Sequence, residues 1–342
     1  MKLQLLIPQY NETEKVIKPM LDSLAMQHNV SFDEFGVIIV NDGSNVILSD
    51  KFLKKYPFEI LYYKDEHRGV SGTREAALQY ATADYVMFCD ADDMFVNNLG
   101  IFMIFSEIEN GGFDTLVSMF VEEGSDPLTG KRTYIVREND SVFVHGKVHR
   151  RKYLFDQDIH WDPKLTIHED SYFNILCQRL TKNARYVQTP FYLWCWRNDS
   201  VCRRDYAYML KTYVNLIESN SALLREFMRR GMEQDAVSSA TSMFYGTYYE
   251  LMKPEWRKEE HKHYLIRCEK RFAEYYKEFL PLFEKSNDDE RRQMVAGLRN
   301  QKAMEGLLLE PMTYAEWIDH IKEDYLGEGV KTPKTSAKKK KK

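Results

Sequence analysis

Three aspartates follow a short apolar segment directly. They are Asp90, Asp92 and Asp93, and the apolar residues 85–89 before them predict a buried strand that ends where the carboxylates begin. Asp90 and Asp92 are separated by one residue, so both can face one hard cation such as Mg²⁺, which prefers oxygen ligands. The alternative is a turn whose acids cap the next helix, because aspartate is common in both settings. The segment alone leaves the two interpretations open.

Strand and helix patterns alternate through the first 90 residues. Apolar strands at 3–7, 35–40 and 58–63 are each followed by a polar loop and a helix. Such alternation predicts right-handed crossovers and a mostly parallel sheet, whose loops gather at the carboxyl ends of the strands. Ligands of open α/β sheets bind at that edge. One cleft is therefore expected to contain Tyr10, Asn11, Glu12, Asp42, Arg74, Asp90 and Asp92.

Beyond Asp93 the pattern is mixed. The Gly and Pro residues of 124–130 predict a hairpin tip, and we expect a strand over 142–145 followed by a helix over 147–154. Helical spacing over 171–180 puts Glu169 and Asp170 in the first turn of a helix. Acids there also complement the helix dipole, worth about 0.3–1 kcal/mol, so capping alone could explain them.

Composition limits the class of protein. Of the 342 residues, 44% are apolar, which suffices for a large core. The net charge is -4, so the overall charge does not indicate nucleic-acid binding. Five scattered cysteines without CxxC spacing argue against a disulfide framework and a zinc site, and they fit the reducing cytoplasm. No apolar run of about 18 residues is present, so no transmembrane helix is predicted.

The chain is predicted to contain two domains and a tail. A catalytic α/β domain covers residues 1–204, and amphipathic helices form a second domain over 205–328. The second domain could bind acceptor, form a homo-oligomer or dock a partner. Residues 329–342 are lysine-rich and are expected to be disordered. Such a tail serves solubility or tethers the protein to an anionic membrane, glycan or nucleic acid.

Six polar motifs follow one another in the first 204 residues. They are Pro8-x-Tyr10-Asn11-Glu12, Asn41-Asp42-Gly43-Ser44, Gly69-Val70-Ser71-x-x-Arg74, Asp90-Ala91-Asp92-Asp93, Glu169-Asp170 and Arg197-x-x-Ser200. This ordered set resembles the family 2 glycosyltransferases, which have the GT-A fold. The resemblance implies inverting transfer of a sugar from a nucleotide diphosphate sugar, usually a UDP-sugar, to an acceptor hydroxyl with Mg²⁺ or Mn²⁺.

The resemblance implies a donor site. Tyr10 would stack on the base, and Asp42 would bind the uracil or its neighbourhood. Arg74 would contact base and phosphate, while Arg197 and Ser200 would close on the diphosphate. The nucleotide-sugar-binding residues implied in this way are Pro8, Tyr10, Asn11, Glu12, Asp42, Gly69, Arg74, Asp90, Ala91, Asp93, Arg197 and Ser200.

The resemblance also implies the metal and catalytic residues. Asp92 would ligate the cation, with Asp90 supporting the ribose or a metal-bound water and Asp93 facing the transferred sugar. Asp170 would be the base, while Glu169 would orient it or cap the helix. A cation and an arginine near the diphosphate stabilise the negative charge that develops as it leaves. One carboxylate as base with in-line attack gives inversion, because no second carboxylate is needed to hold a glycosyl intermediate.

Other functions stay open at this point. A sugar-phosphate nucleotidyltransferase is also α/β and metal-dependent, but its Gly-rich loop follows the first strand, where this chain has Pro8-Gln-Tyr-Asn11. The chain could also be a binding module without activity on the same fold, since fold does not determine function. Alternatively, the same chemistry could glycosylate modified nucleic acid or protein. The processive Gln-x-x-Arg-Trp motif is absent, which predicts transfer of one sugar per encounter. The expected acceptor is a cell-surface glycan or another polyanion. Further candidates for acceptor or phosphate contact are His145, Lys147, His149 and His168.

Overall fold

The computed structural model describes residues 1–126, 128–197, 206–305 and 310–328. Ser200 and the lysine-rich residues 329–342, both named in the sequence predictions, lie outside these ranges. The chain divides into two compact units, Met1–Arg204 and Asp205–Lys342.

The first unit is an α/β domain, as the alternating patterns predict. Its strands are β1 Leu3–Gln9, β2 Phe35–Asp42, β3 Glu59–Asp65, β4 Tyr85–Phe88, β5 Met94–Phe95, β6 Thr115–Ser125, β7 Arg132–Arg137, β8 Lys147–Arg150 and β9 Ala184–Trp194. Its helices are α1 Glu14–Ala25, α2 Asp50–Leu53, α3 Gly69–Tyr80, α4 Gly100–Glu109, α5 Arg151–Asp156 and α6 Glu169–Leu180.

One sheet joins all these strands in the order β3-β2-β1-β4-β8-β6-β9-β5, with β7 paired to β6. The first four strands are parallel, which brings the loops after β1, β2 and β4 to one edge. Beyond β4 the sheet is mixed. Strand β8 runs antiparallel to both β4 and β6, and β9 returns parallel to β6. The predicted hairpin is the β6–β7 pair.

The core under this edge explains why its loops are held in place. Every residue of β2 is buried, and β1 is buried except at Pro8, so these strands lack the alternation of a half-exposed sheet. Helix α1 covers them with four fully buried apolar side chains at helical spacing. Burial of each such side chain stabilises the fold by about 1.5–3 kcal/mol. The apolar α1 residues are Ile17, Met20, Leu21 and Leu24.

Two predicted elements are wrong. Residues 142–145 form no strand, and the predicted helix over 147–154 is instead strand β8 followed by α5. Gly146 has a φ of 67°, which interrupts an extended chain, and an added Cβ there would lie 2.4 Å from the Ser118 hydroxyl. Strand β8 fills the gap between β4 and β6 with Val148 fully buried. Sheet pairing thus overrides the local helical spacing.

The second unit is helical. Its helices are α7 Tyr206–Arg229, α8 Glu233–Leu251, α9 Lys262–Lys285, α10 Asp288–Met304 and α11 Tyr314–Leu326. Helices α9 and α11 share a buried carboxylate, because Glu269 accepts hydrogen bonds from Trp317 Nε1 at 3.3 Å and the Tyr325 hydroxyl at 3.1 Å. Within the described ranges, none of the helices is both long and apolar enough to cross a membrane.

Candidate active site

The loop after β1 is tied to the loop after β2. The backbone N–H of Asn11 donates to the Ser44 hydroxyl at 3.0 Å, and the N–H of Tyr10 donates to the Glu12 carboxylate. Asn11 has a φ of 67°, a left-handed conformation that asparagine tolerates. These contacts leave the Tyr10 ring 50% exposed above the sheet edge. Half of Tyr10 is thus open to solvent, and its stacking on a base, which the resemblance implies, stays a prediction.

Asp42 holds the loop between β3 and α3. Its carboxylate accepts from the backbone N–H of Arg68 at 2.6 Å and of Gly69 at 3.0 Å, and it lies 2.9 Å from His67 Nδ1. The side chain is only 4% exposed. The carboxylate thus orders the loop beside the expected base site, and the expected contact of Asp42 with the uracil or its neighbourhood stays a prediction.

His67 lies beside two of the predicted site residues, Tyr10 and Asp42, and the sequence analysis did not single it out. Its ring lies against the Tyr10 ring with a centroid distance of 4.7 Å, and its side chain is 60% exposed. A histidine in a polar loop carries no spacing signal. Its neighbour in space, Tyr10, is 57 positions away in the sequence.

Asp90 and Asp92 lie at the end of β4 with side chains 29% and 31% exposed. Arg197 Nη1 lies 3.1 Å from Asp92 Oδ2. Burial and the charge of Asp90 raise the pKa of Asp92, and Arg197 opposes that shift. Burial also raises the pKa of Glu12. The charge of Asp92 raises it further, and the charge of Arg197 lowers it. Glu12, Asp92 and Arg197 therefore share one electrostatic environment.

Asp93 has a different position from the one we expected. It is fully buried, and its carboxylate accepts from the Tyr192 hydroxyl at 2.7 Å and the backbone N–H of Cys195 at 2.9 Å. The same hydroxyl accepts from the N–H of Asp90 at 3.0 Å. A carboxylate with no exposed surface cannot touch a sugar without rearrangement, so we revise its role. Asp93 fixes β9 against the acidic turn, and the buried Ala91 lies between the two part-exposed acids.

Arg74 connects the acidic turn to helix α6. Its Nη2 lies 2.8 Å from Asp90 Oδ1, and its Nη1 lies 2.7 Å from Glu169 Oε1. The guanidinium is 4.9 Å from the centre of the Trp161 ring, and the residue is 4% exposed. The expected contact with base and phosphate is therefore revised to a positioning role. Gly69, at the start of α3 with a φ of 74°, shapes the loop that leads to Arg74.

Asp170 is the second residue of α6, beside the acid that Arg74 holds. Burial and the charge of Glu169 raise the pKa of Asp170 to about 7, although Arg74 opposes the shift. Burial likewise raises the pKa of Glu169, against the effect of Arg74. Of the two neighbouring acids, Glu169 is held by an ion pair, whereas Asp170 has a pKa close to neutral pH, which suits a general base.

Three ligand atoms, from Asp90, Asp93 and His145, lie within 4.8 Å of one another and could in principle hold a metal. His145 Nδ1 is buried without a hydrogen-bond partner, 3.6 Å from Asp93 Oδ2, and burial lowers the pKa of His145 to about 4. Both oxygens of Asp93 already accept hydrogen bonds. The carboxylate oxygens of Asp90 and Asp92 fit Mg²⁺ or Mn²⁺ better. These hard cations prefer oxygen ligands, and the part-exposed position leaves room for a diphosphate to bind the same cation.

Burial excludes three of the further candidates for ligand contact. His145, Lys147 and His149 are 3%, 1% and 1% exposed. Burial lowers the pKa of His149 to about 3, so it stays neutral, and its Nδ1 lies 3.2 Å from the Thr115 hydroxyl. Burial also lowers the pKa of His168 to about 4. The buried side chains of His145, Lys147 and His149 belong to the interior of the domain, whereas His168 is half-buried at the start of α6.

The family follows from comparison with known proteins. Residues 5–205, more than half of the chain, match the sequence profile described as "Glycosyl transferase family 2". This protein belongs to glycosyltransferase family 2. It is a glycosyltransferase, as the resemblance of its motifs implies.

The curated relatives of this glycosyltransferase include two bacterial proteins. The minor teichoic acid biosynthesis protein GgaB of Bacillus subtilis is 30% identical over 124 residues, which are 35% of this chain and 12% of GgaB. The poly(ribitol-phosphate) beta-N-acetylglucosaminyltransferase TarS of Staphylococcus aureus is 26% identical over 193 residues, 51% of this chain and 32% of TarS. The matches thus span less than a third of either relative's length.

Solved structures show the fold of this glycosyltransferase. Residues 1–349 of S. aureus TarS superpose with a TM-score of 0.60 and 17% identity, covering 90% of this chain and 92% of that one. The same fragment in complex with UDP-GlcNAc gives 0.59 and 18% identity, with 90% and 93% coverage. A mannosyltransferase of Pyrobaculum calidifontis in complex with GDP-Man and Mn²⁺ gives 0.50 and 13% identity, with 89% and 84% coverage. The predicted GT-A fold with a helical carboxyl-terminal region is confirmed.

Proposed function

We propose that this glycosyltransferase transfers one sugar, with inversion, from a UDP-sugar to a hydroxyl of a polyol-phosphate polymer, using Mg²⁺ or Mn²⁺. The observation that carries the proposal is the double ion pair of Arg74. One buried guanidinium holds Asp90, on the diphosphate side, and Glu169, beside the base Asp170. The residues that would act on the leaving group and those that would activate the acceptor are thereby kept at a fixed distance from each other.

The donor would lie over the loops after β1 and β4. The exposed Tyr10 ring offers a stacking surface for a nucleobase. Arg197, already beside Asp92, can bind the phosphates that take up negative charge as the glycosidic bond breaks. UDP-GlcNAc is the first donor to test, because the TarS fragment has been crystallised with it.

Asp90 and Asp92 would hold the divalent cation. When bound, it would neutralise charge on the diphosphate leaving group. Two acids at one strand end, with the pKa of Asp92 raised by burial and by Asp90, favour a bound cation that relieves their repulsion. The contact of Arg197 with Asp92 would then be exchanged for a contact with phosphate.

Asp170 would take the proton of the acceptor hydroxyl as that oxygen attacks the anomeric carbon. With its pKa near 7, a substantial fraction is the carboxylate at neutral pH. No covalent glycosyl intermediate is needed, so a single attack inverts the anomeric centre. Glu169, paired to Arg74, orients α6 so that Asp170 faces the cleft.

The proposed acceptor class comes from the relatives and from charge. GgaB is named for teichoic acid biosynthesis and TarS for poly(ribitol-phosphate), both of which are anionic polyol-phosphate polymers. The lysine run 338–342 of this chain would favour such a polyanion. The nucleotidyltransferase alternative loses its support, because the family match covers residues 5–205, the whole α/β domain that suggested it.

Removal of the metal ligand tests the proposal. With UDP-GlcNAc and Mn²⁺, we expect slow release of UDP even without acceptor, abolished by EDTA and lowered about 100-fold or more in Asp92→Asn. The loss follows because an amide cannot replace the anionic ligand. UDP release can be followed by a coupled assay at several Mn²⁺ concentrations.

Asp50→Asn is the matched control, because that carboxylate is 87% exposed in its side chain and remote from β4 in sequence. It should retain the activity of the native protein. Full activity in EDTA, or in Asp92→Asn, would refute the metal assignment.

A further inference from the structure

A groove in the helical unit is lined by arginines. It runs along one side of α10 and has a volume of about 470 Å³. Arg291, Arg292 and Arg299 bring three positive charges to it, and among the described residues that line this arginine groove none is acidic. The groove is therefore locally basic in a protein whose net charge is -4. The other lining residues are Tyr245, Val295, Ala296 and Asn300.

Arg291 is held in place by neutral groups. Its Nε donates to the Ser286 hydroxyl at 2.8 Å, and its Nη2 donates to the carbonyl oxygen of Phe283 at 2.8 Å. The guanidinium also lies 4.7 Å from the centre of the Phe283 ring. In the described ranges no carboxylate forms an ion pair with Arg291, and its printed hydrogen bonds use only Nε and Nη2. The side chain is thus oriented while its charge is not neutralised, which suits an arginine that binds an anion.

Arg292 and Arg299 extend the positive charge along the helix. They are seven positions apart, which is two turns and about 10 Å along the axis, and both residues are exposed. Arg292 Nη2 lies 2.8 Å from Asp289 Oδ1, but the two side chains are 75% and 81% exposed, and such a pair is weak enough to open for a ligand. Glu290 is engaged in the capping box with Asn287. The row of charges fits an extended anion better than a single phosphate.

We propose that the arginine groove binds the phosphates of the polyol-phosphate acceptor and so holds the polymer on the protein during transfer. The inference rests on the proposed acceptor class and goes beyond it by naming residues of the second unit that hold the acceptor. Arginine suits this ligand because its planar guanidinium donates two parallel hydrogen bonds to two phosphate oxygens. A polymer bound at a second point stays at a high local concentration.

The lining of the groove favours a polyol phosphate over a single-stranded nucleic acid. Nucleic-acid strands gain much of their affinity by stacking bases on aromatic side chains. Tyr245 is the single aromatic residue among the described lining residues, and it is half-buried. Its ring already lies 4.7 Å from the Tyr314 ring and 5.5 Å from the Phe283 ring. The groove therefore offers charge without a stacking platform, as a flexible polymer that has no bases requires.

Binding of fluorescently labelled poly(ribitol phosphate) to the full chain tests the inference. The double variant Arg292→Gln/Arg299→Gln removes two exposed charges, and glutamine has nearly the helix propensity of arginine. We expect the Kd for the polymer to rise about tenfold at low salt, and the KM for the polymer in sugar transfer to rise by a similar factor with little change in kcat. The slope of log Kd against log salt should fall by about 1–2, because fewer counterions are released.

Arg267→Gln/Lys270→Gln is the matched control, because both residues are exposed on α9 in the same unit and the substitutions remove the same charge outside the groove. It should bind the polymer as the native protein does. If the native protein glycosylates the polymer and the groove variant binds it as tightly as this control, the inference is refuted while the proposed function stands. If the native protein neither binds nor glycosylates poly(ribitol phosphate), the proposed acceptor fails and the inference with it.

Polyuridylate of similar charge serves as a competing ligand. We expect the native protein to bind it more weakly than poly(ribitol phosphate), and the groove variant to lose less affinity for it. An equal loss of affinity for both polymers would show a general anion site and would overturn the assignment of the groove to a polyol phosphate.

Discussion

Replacement of Asp170 by asparagine is expected to lower kcat for sugar transfer by about 10²- to 10⁴-fold while donor affinity stays within about twofold. The reason is that the amide keeps the size and the hydrogen bond from the backbone N–H of Ser171 but cannot take a proton. Transfer to acceptor and binding of UDP-GlcNAc can be measured on the same preparation, which separates catalysis from binding.

The pH profile gives a second test of the same residue. Burial and Glu169 raise the pKa of Asp170 to about 7, so the group is protonated and inactive as a base below that pH. The rate of transfer should therefore rise with pH and level off above about 7. Residual activity of Asp170→Asn should lack this step.

Asp156→Asn is a matched control, because Asp156 is half-exposed and pairs only with the neighbouring Lys152 among the contacts described. It should keep both the rate and the pH profile. Unchanged turnover in Asp170→Asn would remove the base from this account.

Arg74→Met is expected to cost about 3–5 kcal/mol in the free energy of unfolding, because it leaves two carboxylates without their common partner in a buried site. The Arg74 side chain is 5% exposed, and those of Asp90 and Glu169 are 29% and 10% exposed. Methionine fills a similar volume, so the loss reports charge and hydrogen bonding rather than a cavity. Urea unfolding followed by tryptophan fluorescence measures it.

Two comparisons identify the cause of that loss. Arg225→Met breaks a bidentate pair with Glu278 on the surface of the second unit, where side chains are 53% and 36% exposed, and should cost no more than about 1 kcal/mol. Adding Glu169→Gln to Arg74→Met should recover part of the stability, since one unpaired charge is gone. A loss in Arg74→Met no larger than in Arg225→Met would contradict the positioning role.

Periodicity predicts the first half of the domain well because β1, β2 and β4 are buried on both faces and α1 has a regular apolar stripe. Local signals determine those elements. Strand β8 is different, since residues 147–150 gain their conformation from pairing with β4 and β6 on either side. The apolar pattern of one segment carries no information about which strands will pair with that segment in the sheet.

Site positions are predictable to a similar extent. The part-exposed acids Asp90 and Asp92 are predictable, because they directly follow a strand that the sequence pattern identifies. Tyr192, whose hydroxyl holds Asp93, is 99 positions from its partner, and spacing along the chain cannot show such a contact. Likewise Arg74 looks like a ligand-binding cation in the sequence and becomes a buried link only once α6 has packed beside it.

The most direct test of this account is the configuration of the product. Incubation of the protein with UDP-GlcNAc, Mn²⁺ and poly(ribitol phosphate), followed by ¹H NMR of the isolated polymer, reports the anomeric proton of any sugar added. Since the donor is α-linked, the account predicts new β-linked GlcNAc that is absent with Asp170→Asn. An α-linked product would contradict inversion with Asp170 as the single base.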